Sequence, residues 1–201
     1  ELGLYGDFVM ETDHAVERVE AALRKHGFAE NTLVLFSSDH GAASYAGNVR
    51  KATANQIKLL EKKGHYSSGP YKGYKFSVYE GGLRVPLIAK WPGIAPAGTT
   101  CDRLVGLNDL FATLSEAAGH KLPRGAAPDS ISFLSLLNNP KDKATRTNLV
   151  MQSIGPMVIR ENNWKLCLCP GSGSNGPFAY EPKSETAWKK ALAAFGKKPR
   201  N

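Results

Sequence analysis

A hydrophobic strand that ends in a carboxylate, an imidazole and a glycine is the sequence feature that most restricts this chain's fold. It is the stretch LVLFSSDHGA, residues 33–42, in which β-favouring residues lead to Asp39, His40 and Gly41. Residues 5–26, just before it, carry apolar side chains three or four apart and predict an amphipathic helix. A helix, a short turn and a continuous apolar strand together predict an α/β layer with a parallel sheet.

The rest of the chain divides into two parts by its pattern. Periodicity and turn residues predict further helices and strands over residues 52–62, 85–90, 107–118, 130–137, 149–154, 156–160, 164–168 and 184–195. After Pro140 the elements become short strands joined by turns. We therefore predict an α/β domain over residues 1–140, followed over 141–201 by a small antiparallel hairpin unit with a terminal helix.

Positive charge is concentrated directly after the Asp39-His40 pair. The formal net charge is +8, and residues 50–75 hold a single acid, Glu61. The basic residues of that stretch are Arg50, Lys51, Lys58, Lys62, Lys63, Lys72 and Lys75. Such a field attracts nucleic acid, an acidic membrane, or phosphorylated or sulfated substrates, while a solvated lysine-rich surface is the simplest alternative. No stretch approaches the roughly 20 apolar residues that span a bilayer.

Asp39 and His40 follow the carboxyl end of a strand, where α/β sheets bind their ligands. A carboxylate suits a hard cation such as Ca²⁺ or Mg²⁺, and a histidine is a more usual ligand of transition metals. Local chemistry alone leaves two interpretations open. The pair is either part of a metal site, or a turn aspartate followed by an incidental histidine.

A second group of motifs, GYKFSVYEGGLRVP at residues 73–86, follows that strand. With it, the chain resembles the sulfatase family of the alkaline-phosphatase-like superfamily. In that family a strand ending Ser-Asp-Asn/His-Gly precedes Gly-x-Lys, Glu-Gly-Gly-x-Arg-x-Pro and a core strand ending Trp-Pro-Gly. All of these occur here in order, and GLNDLFATLSEAAG and MVIRENNWKL extend the resemblance to about residues 4–168.

The resemblance implies a set of site residues. Asp39 and His40 are expected to be two ligands of a divalent cation, Ca²⁺ with Mg²⁺ as the alternative. Lys75 is expected to be catalytic and to bind a sulfate oxygen, and Lys72 and His65 are further candidates for substrate binding. A lysine offers a compact charge with three donors, which stabilises negative charge as the S–O bond breaks.

The chain departs from the family's pattern at three positions in or beside this set. His40 stands where many members have Asn, Lys72 where Arg is common, and Phe76 where glycine is common. We therefore expect differences in metal preference and in the rim of the pocket. Glu80 and Arg84 are predicted to be structural and to hold the glycine turn between them through an ion pair.

The family's nucleophile is formylglycine, made from the Cys or Ser of Cys/Ser-x-Pro-x-Arg, and its hydrate attacks sulfur. No cysteine here fits that motif, and Ser68-Gly-Pro-Tyr-Lys72 lies after the metal-binding strand rather than before it. We therefore expect a C-terminal fragment of a sulfatase, inactive alone, with formylglycine in the missing N-terminal half. The expected substrate is a sulfated small molecule or a sulfated glycan, not nucleic acid, and the expected location is secreted or periplasmic.

Two other functions stay open at this point. One is phosphoryl transfer by a phosphodiesterase or phosphonate hydrolase of the same superfamily, which would differ in its nucleophile. The other is a non-catalytic module that binds polyanions through its basic surface. The sequence does not predict the oligomeric state.

Overall fold

The computed structural model describes residues 2–43, 45, 56–173 and 193. The helices of this part are α1 (Gly3–Lys25), α2 (Gln56–Lys62), α3 (Glu80–Leu83), α4 (Leu110–Ala117) and α5 (Leu134–Asn138). The strands are β1 (Val34–Ser37), β2 (Leu87–Lys90), β3 (Asn148–Gln152), β4 (Met157–Glu161) and β5 (Trp164–Cys167). Short 3₁₀ turns at Ala29–Asn31 and Leu107–Asp109 precede β1 and α4.

Helix α1 confirms the helix predicted over residues 5–26. It ends at Lys25, and Gly27, whose φ is 75°, provides the left-handed stop after it. Phe28 N–H donates to the Leu23 carbonyl at 2.9 Å. Lys90 of β2 forms an ion pair with Glu20, so α1 is linked to the first sheet. No helix in the part of the chain that the structure describes has both the length and the apolar character needed to cross a membrane.

The first sheet pairs β1 with β2, and the pair is antiparallel, with Val34 opposite Lys90 and Ser37 opposite Leu87. The α/β class is confirmed, but the parallel direction is wrong for this pair. The physical reason is that the connection folds back onto the end of β1. Ser37 Oγ donates to the Pro86 carbonyl at 2.8 Å, so β2 starts beside the point where β1 stops.

The second sheet has the order β3-β4-β5 and is antiparallel throughout. It confirms the small antiparallel unit predicted near the C-terminus. Leu149 and Val158 are buried, whereas the next residues, Val150 and Ile159, are more exposed. This alternation is the period of two that places successive side chains on opposite faces of a sheet.

A buried ion pair joins the start of α4 to the segment before β3. Arg146 contacts both carboxylate oxygens of Asp109, with Nε at 2.9 Å from Oδ2. The backbone N–H groups of Gly106 and Ile131 donate to the same carboxylate at 2.8 and 2.9 Å. The ion pair therefore links residues on both sides of residue 140, and the domain boundary there stays a prediction.

Two predicted elements reach beyond the described residues. The helix predicted over 184–195 lies outside them except for Ala193, and only the part of the 52–62 helix from Gln56 onward is described, as α2. One described helix was not predicted. The Glu80–Leu83 stretch forms the helical turn α3, because the Arg84 N–H donates to the Glu80 carbonyl at 2.8 Å.

Arg146→Met should destabilise the protein by about 3–5 kcal/mol, because it leaves the Asp109 carboxylate charged and buried without its partner. Asp109 is 1% exposed and Arg146 8%. The double variant Asp109→Leu/Arg146→Met should recover much of this loss, since no isolated charge remains. Urea unfolding of both variants measures the loss and its recovery. A single variant as stable as the wild type would contradict a structural role for the pair.

Candidate functional site

The end of β1 places Asp39 and His40 in contact. His40 Nδ1 lies 2.9 Å from the Gly41 carbonyl oxygen, and because a carbonyl only accepts, this contact assigns the proton to Nδ1. In the neutral ring Nε2 then carries a lone pair, and it lies 3.3 Å from Asp39 Oδ2. Two atoms with lone pairs at this distance repel each other unless a cation, a proton or a metal ion, binds between them.

This pair fits a divalent cation as part of a larger ligand set. The Asp39 side chain is 83% exposed and that of His40 36%, so both donors are accessible. Ca²⁺ takes about six to eight ligands. In the described part of the chain no group of three or more His, Cys, Asp or Glu residues could hold a metal ion. The described residues therefore offer these two side chains to such an ion as part of a ligand set, not a cluster of three or more His, Cys, Asp or Glu side chains.

Backbone contact between two glycine segments sets the position of these donors. Gly41 N–H donates to the Gly82 carbonyl at 2.9 Å. A Cβ on Gly41 would overlap the Gly81 carbonyl oxygen and lie 2.8 Å from its carbon. Gly81 is equally confined, since its Cβ would lie 2.7 Å from the Lys72 carbonyl oxygen. The backbones at Gly41, Gly81 and Lys72 can therefore meet here only because both glycines lack a side chain.

Neighbouring hydrogen bonds attach the turn that carries Lys75 to the same two segments. Lys75 N–H donates to the Ala42 carbonyl at 2.8 Å, and Gly81 N–H donates to the Lys72 carbonyl at 2.7 Å. Behind this turn Tyr74 is buried against Leu60 of α2. The backbone of Lys75 is therefore bonded to Ala42, which follows Asp39 by three residues in the sequence.

Three cations of this segment lie over aromatic rings. Lys72 Nζ is 4.1 Å from the Tyr79 ring centroid, and the Arg84 guanidinium carbon is 4.8 Å from that of Tyr71. Lys75 Nζ lies 5.4 and 5.1 Å from two further centroids, those of Tyr45 and Phe76 respectively. Distances below about 6 Å place all three in the range of cation–π attraction. An aromatic face orients a cation without neutralising it, so this segment keeps its positive charge available.

The predicted site residues do not all share one surface. Asp39 and His40 line a broad cleft, together with Ser67 and Ser68. Lys72, Lys75 and His65 are not among the described residues that line it.

The His65 ring instead packs against Tyr5 of α1, at 5.6 Å between centroids. Its Nε2 is buried without a hydrogen-bond partner in the described part. The roles assigned to Asp39, His40, Lys75, Lys72 and His65 stay predictions.

Glu80 is the charged centre of the connection to the second sheet. Its carboxylate accepts from Lys165 Nζ at 2.7 Å and from Arg160 Nη1 at 2.9 Å, whereas Arg84 is 3.9 Å away. Burial raises the pKa of Glu80, but the hydrogen bond and charge of Lys165, with the charges of Arg160 and Arg84, hold it below its ordinary value of 4.5. The predicted Glu80–Arg84 pair thus exists, but it is the weakest of three.

Comparison with known proteins identifies the family. The sequence model of the family described as Sulfatase matches residues 1–120. N-acetylgalactosamine-6-sulfatase of Sus scrofa is 31% identical over 199 residues, covering 92% of this chain and 35% of that protein. Steryl-sulfatase of Rattus norvegicus is 39% identical over 135 residues, covering 67% of this chain and 22% of that protein.

A solved structure agrees with these relatives. It comes from work on the metabolism of multiple glycosaminoglycans by Bacteroides thetaiotaomicron and superposes with a TM-score of 0.75 at 26% identity. The match covers 96% of this chain and 41% of that one. The chain therefore belongs to the sulfatase family and has its alkaline-phosphatase-like fold. It spans between 22% and 41% of the length of these three proteins.

Sequence reasoning missed the aromatic partners of the cations. Tyr45 and Phe76 were not predicted to contact Lys75, and Tyr79 was not predicted to contact Lys72. A signal was present, because aromatic residues alternate with basic ones through this stretch, at Tyr66, Tyr71, Tyr74, Phe76 and Tyr79. Such interleaving is what cation–π contacts require, although it does not say which ring meets which cation.

Glu80→Gln should destabilise the protein by about 2 kcal/mol at neutral pH, because Arg160 and Lys165 lose a charged hydrogen-bond acceptor. The folded-state pKa of Glu80 is lowered, so its contribution is present above about pH 4.5 and is lost as the pH falls through the lower value. Urea unfolding at pH 7 and about pH 3 should show the difference from wild type shrinking in acid. Glu17→Gln, at a side chain 71% exposed, is the matched control, and an equal effect of both variants would contradict this role.

Proposed function

We propose that the full-length protein hydrolyses sulfate esters, and that this chain supplies two ligands of a divalent cation and a lysine that binds the sulfate group. The observation that carries the proposal is the backbone junction at Gly41 and Ala42. It holds the chain bearing Asp39 and His40 against the turn that carries Lys75. Metal ligands and an anion-binding lysine belong on one rigid support if they are to act on one group.

In this proposal Asp39 and His40 hold Ca²⁺, with Mg²⁺ as the alternative, and the facing lone pairs of Oδ2 and Nε2 support the assignment. When bound, the cation supplies positive charge that polarises the sulfate ester. The carbonyl of Gly41 keeps the imidazole in the tautomer that leaves Nε2 free to bind. Further carboxylate or histidine ligands of this ion come from outside the described residues.

Lys75 acts on the sulfate group itself. Its ammonium donates to a sulfate oxygen and stabilises the charge that grows there as the S–O bond breaks. The nucleophile, a formylglycine, lies outside these 201 residues, so the isolated chain is inactive. We assign the protein to a secreted or periplasmic location, where Ca²⁺ is abundant enough for weak sites.

The substrate we favour is a sulfated glycan. One relative is named for N-acetylgalactosamine and another for sterols, so the family alone leaves the choice open. The basic residues favour the polyanion, since Lys62, Lys63 and Lys72 of the basic run after His40 have exposed side chains. Arg50 and Lys51, which belong to the same charge run, lie outside the described residues.

Lys75→Met in the full-length protein should lower kcat/KM for an aryl sulfate by about 10²–10³, the usual effect of removing one donor to a developing oxyanion.

Asp39→Asn should weaken Ca²⁺ binding in calorimetry, because a charged ligand is lost. Lys121→Met, at an exposed loop position, is the control and should change neither. Robust sulfate ester turnover by the isolated chain, surviving the loss of Asp39 and Lys75, would overturn the proposal.

Added salt should slow turnover of a sulfated oligosaccharide more than turnover of a small aryl sulfate, because screening weakens the attraction between a basic surface and a polyanion. The measurement is kcat/KM for each substrate at rising ionic strength. A Lys62→Gln/Lys63→Gln variant should reduce the difference between the two substrates. Equal salt sensitivity for both would contradict the glycan assignment while leaving sulfate ester hydrolysis intact.

A further inference from the structure

Phe76 has a backbone conformation that an aromatic residue rarely adopts. Ser77 N–H donates to the Tyr74 carbonyl at 3.0 Å, which closes a β-turn with Lys75 and Phe76 at its centre. The φ of Phe76 is 77°, the value of the third position of a type II turn, where glycine is favoured. A bulky residue there costs on the order of 1–3 kcal/mol.

Hydrogen bonds on either side of Phe76 hold this conformation in place. Lys75 N–H donates to the Ala42 carbonyl at 2.8 Å, and Ser153 Oγ donates to the Phe76 carbonyl at 2.7 Å. The turn is thereby attached both to the chain after β1 and to the loop between β3 and β4. Strain of this kind persists where the surrounding structure over-determines the backbone, and it concentrates at functional sites.

The ring that results from this conformation lies beside Lys75. The Phe76 and Tyr45 rings stack with centroids 6.2 Å apart and planes at 27°. Lys75 Nζ is 5.1 Å from the Phe76 centroid and 5.4 Å from that of Tyr45. One cation–π contact at an exposed site contributes about 0.5–1 kcal/mol. The ring stack contributes about 0.5–1.5 kcal/mol more, so the two contacts together are of the same order as the strain and add little net stability.

We propose that Phe76 and Tyr45 are positioning residues that act through Lys75. Their rings hold the ammonium group in the place where it meets the sulfate oxygen, and this inference rests on the proposed sulfate-binding role of Lys75. A lysine side chain loses much rotamer freedom when it is ordered, so a pre-ordered ammonium binds an anion at lower entropic cost. A carboxylate would hold the lysine as well but would neutralise it, whereas the rings leave its charge for the sulfate.

Three substitutions at Phe76 separate the ring from the strain. Phe76→Gly removes the ring and relieves the strain, Phe76→Leu removes the ring and keeps a side chain at positive φ, and Phe76→Tyr keeps the ring. In the full-length protein, Gly and Leu should both lower kcat/KM for an aryl sulfate about tenfold. The Gly variant should unfold at higher urea than the Leu variant, and Tyr should match the wild type in activity. A purely structural role predicts instead that activity follows stability, with the Gly variant the most active.

A second measurement does not depend on catalysis. Acylation of Lys75 by an amine-directed ester, followed by peptide mass spectrometry, reports how well the rings shield its Nζ from the reagent. Phe76→Leu and Tyr45→Leu should speed this labelling several-fold, and Phe76→Tyr should not. Tyr71→Leu makes the same kind of change beside Arg84 and should leave Lys75 labelling unchanged.

The two readouts distinguish the inference from the proposed function. Faster Lys75 labelling in the Leu variants, in a full-length protein without sulfate ester turnover, would reject the proposed function and retain the contact between the rings and the lysine. Normal turnover by the wild type, with labelling and kcat/KM both unchanged in Phe76→Leu, would overturn the positioning role and retain the proposed function.

Discussion

The candidate site depends on one close approach between backbones, in which Gly41 lies against Gly81 and Gly82. The approach places the chain after β1, the helical turn α3 and the Lys75 turn within hydrogen-bonding distance of one another. No side chain takes part at the closest points, so the geometry is set by peptide groups, which are far stiffer than rotamers. The side chains with proposed chemical roles then project from this rigid junction, which accounts for glycine at both of its sides.

Charge connects the junction to the rest of the molecule. Glu80 begins α3 and is held by Arg160 and Lys165 of the second sheet, so the glycine turn is anchored from behind. Its own neighbours in the turn contribute less, since Arg84 is farther away. Cations on the site side lie instead over aromatic rings. The fold thus neutralises positive charge where the two parts join and preserves it where an anion is proposed to bind.

The sequence predicted the elements and the family well, because both are encoded locally. Apolar spacing predicted α1 and α4, and the ordered motifs from Asp39 to Arg84 indicated the sulfatase fold. Features that depend on distant parts of the chain were not predicted. The direction of the β1–β2 pair depends on where a long connection returns, and the partners of Glu80 are far away in the chain. Phe76 was noted as a departure from glycine, but the contact that its ring makes depends on a backbone angle that the sequence does not state.

The partners of Glu80 also bear on the order in which the protein folds. Its two closest contacts join residues 80 and 85 positions apart, and contacts of such separation form late because the loop between them must close first. On a ribosome, the strands β4 and β5 emerge after Asp39, His40 and Lys75 have been made. Until those strands emerge, Glu80 lacks its two closest partners, so the pairing of β4 with β5 is the step that completes the anchoring of α3.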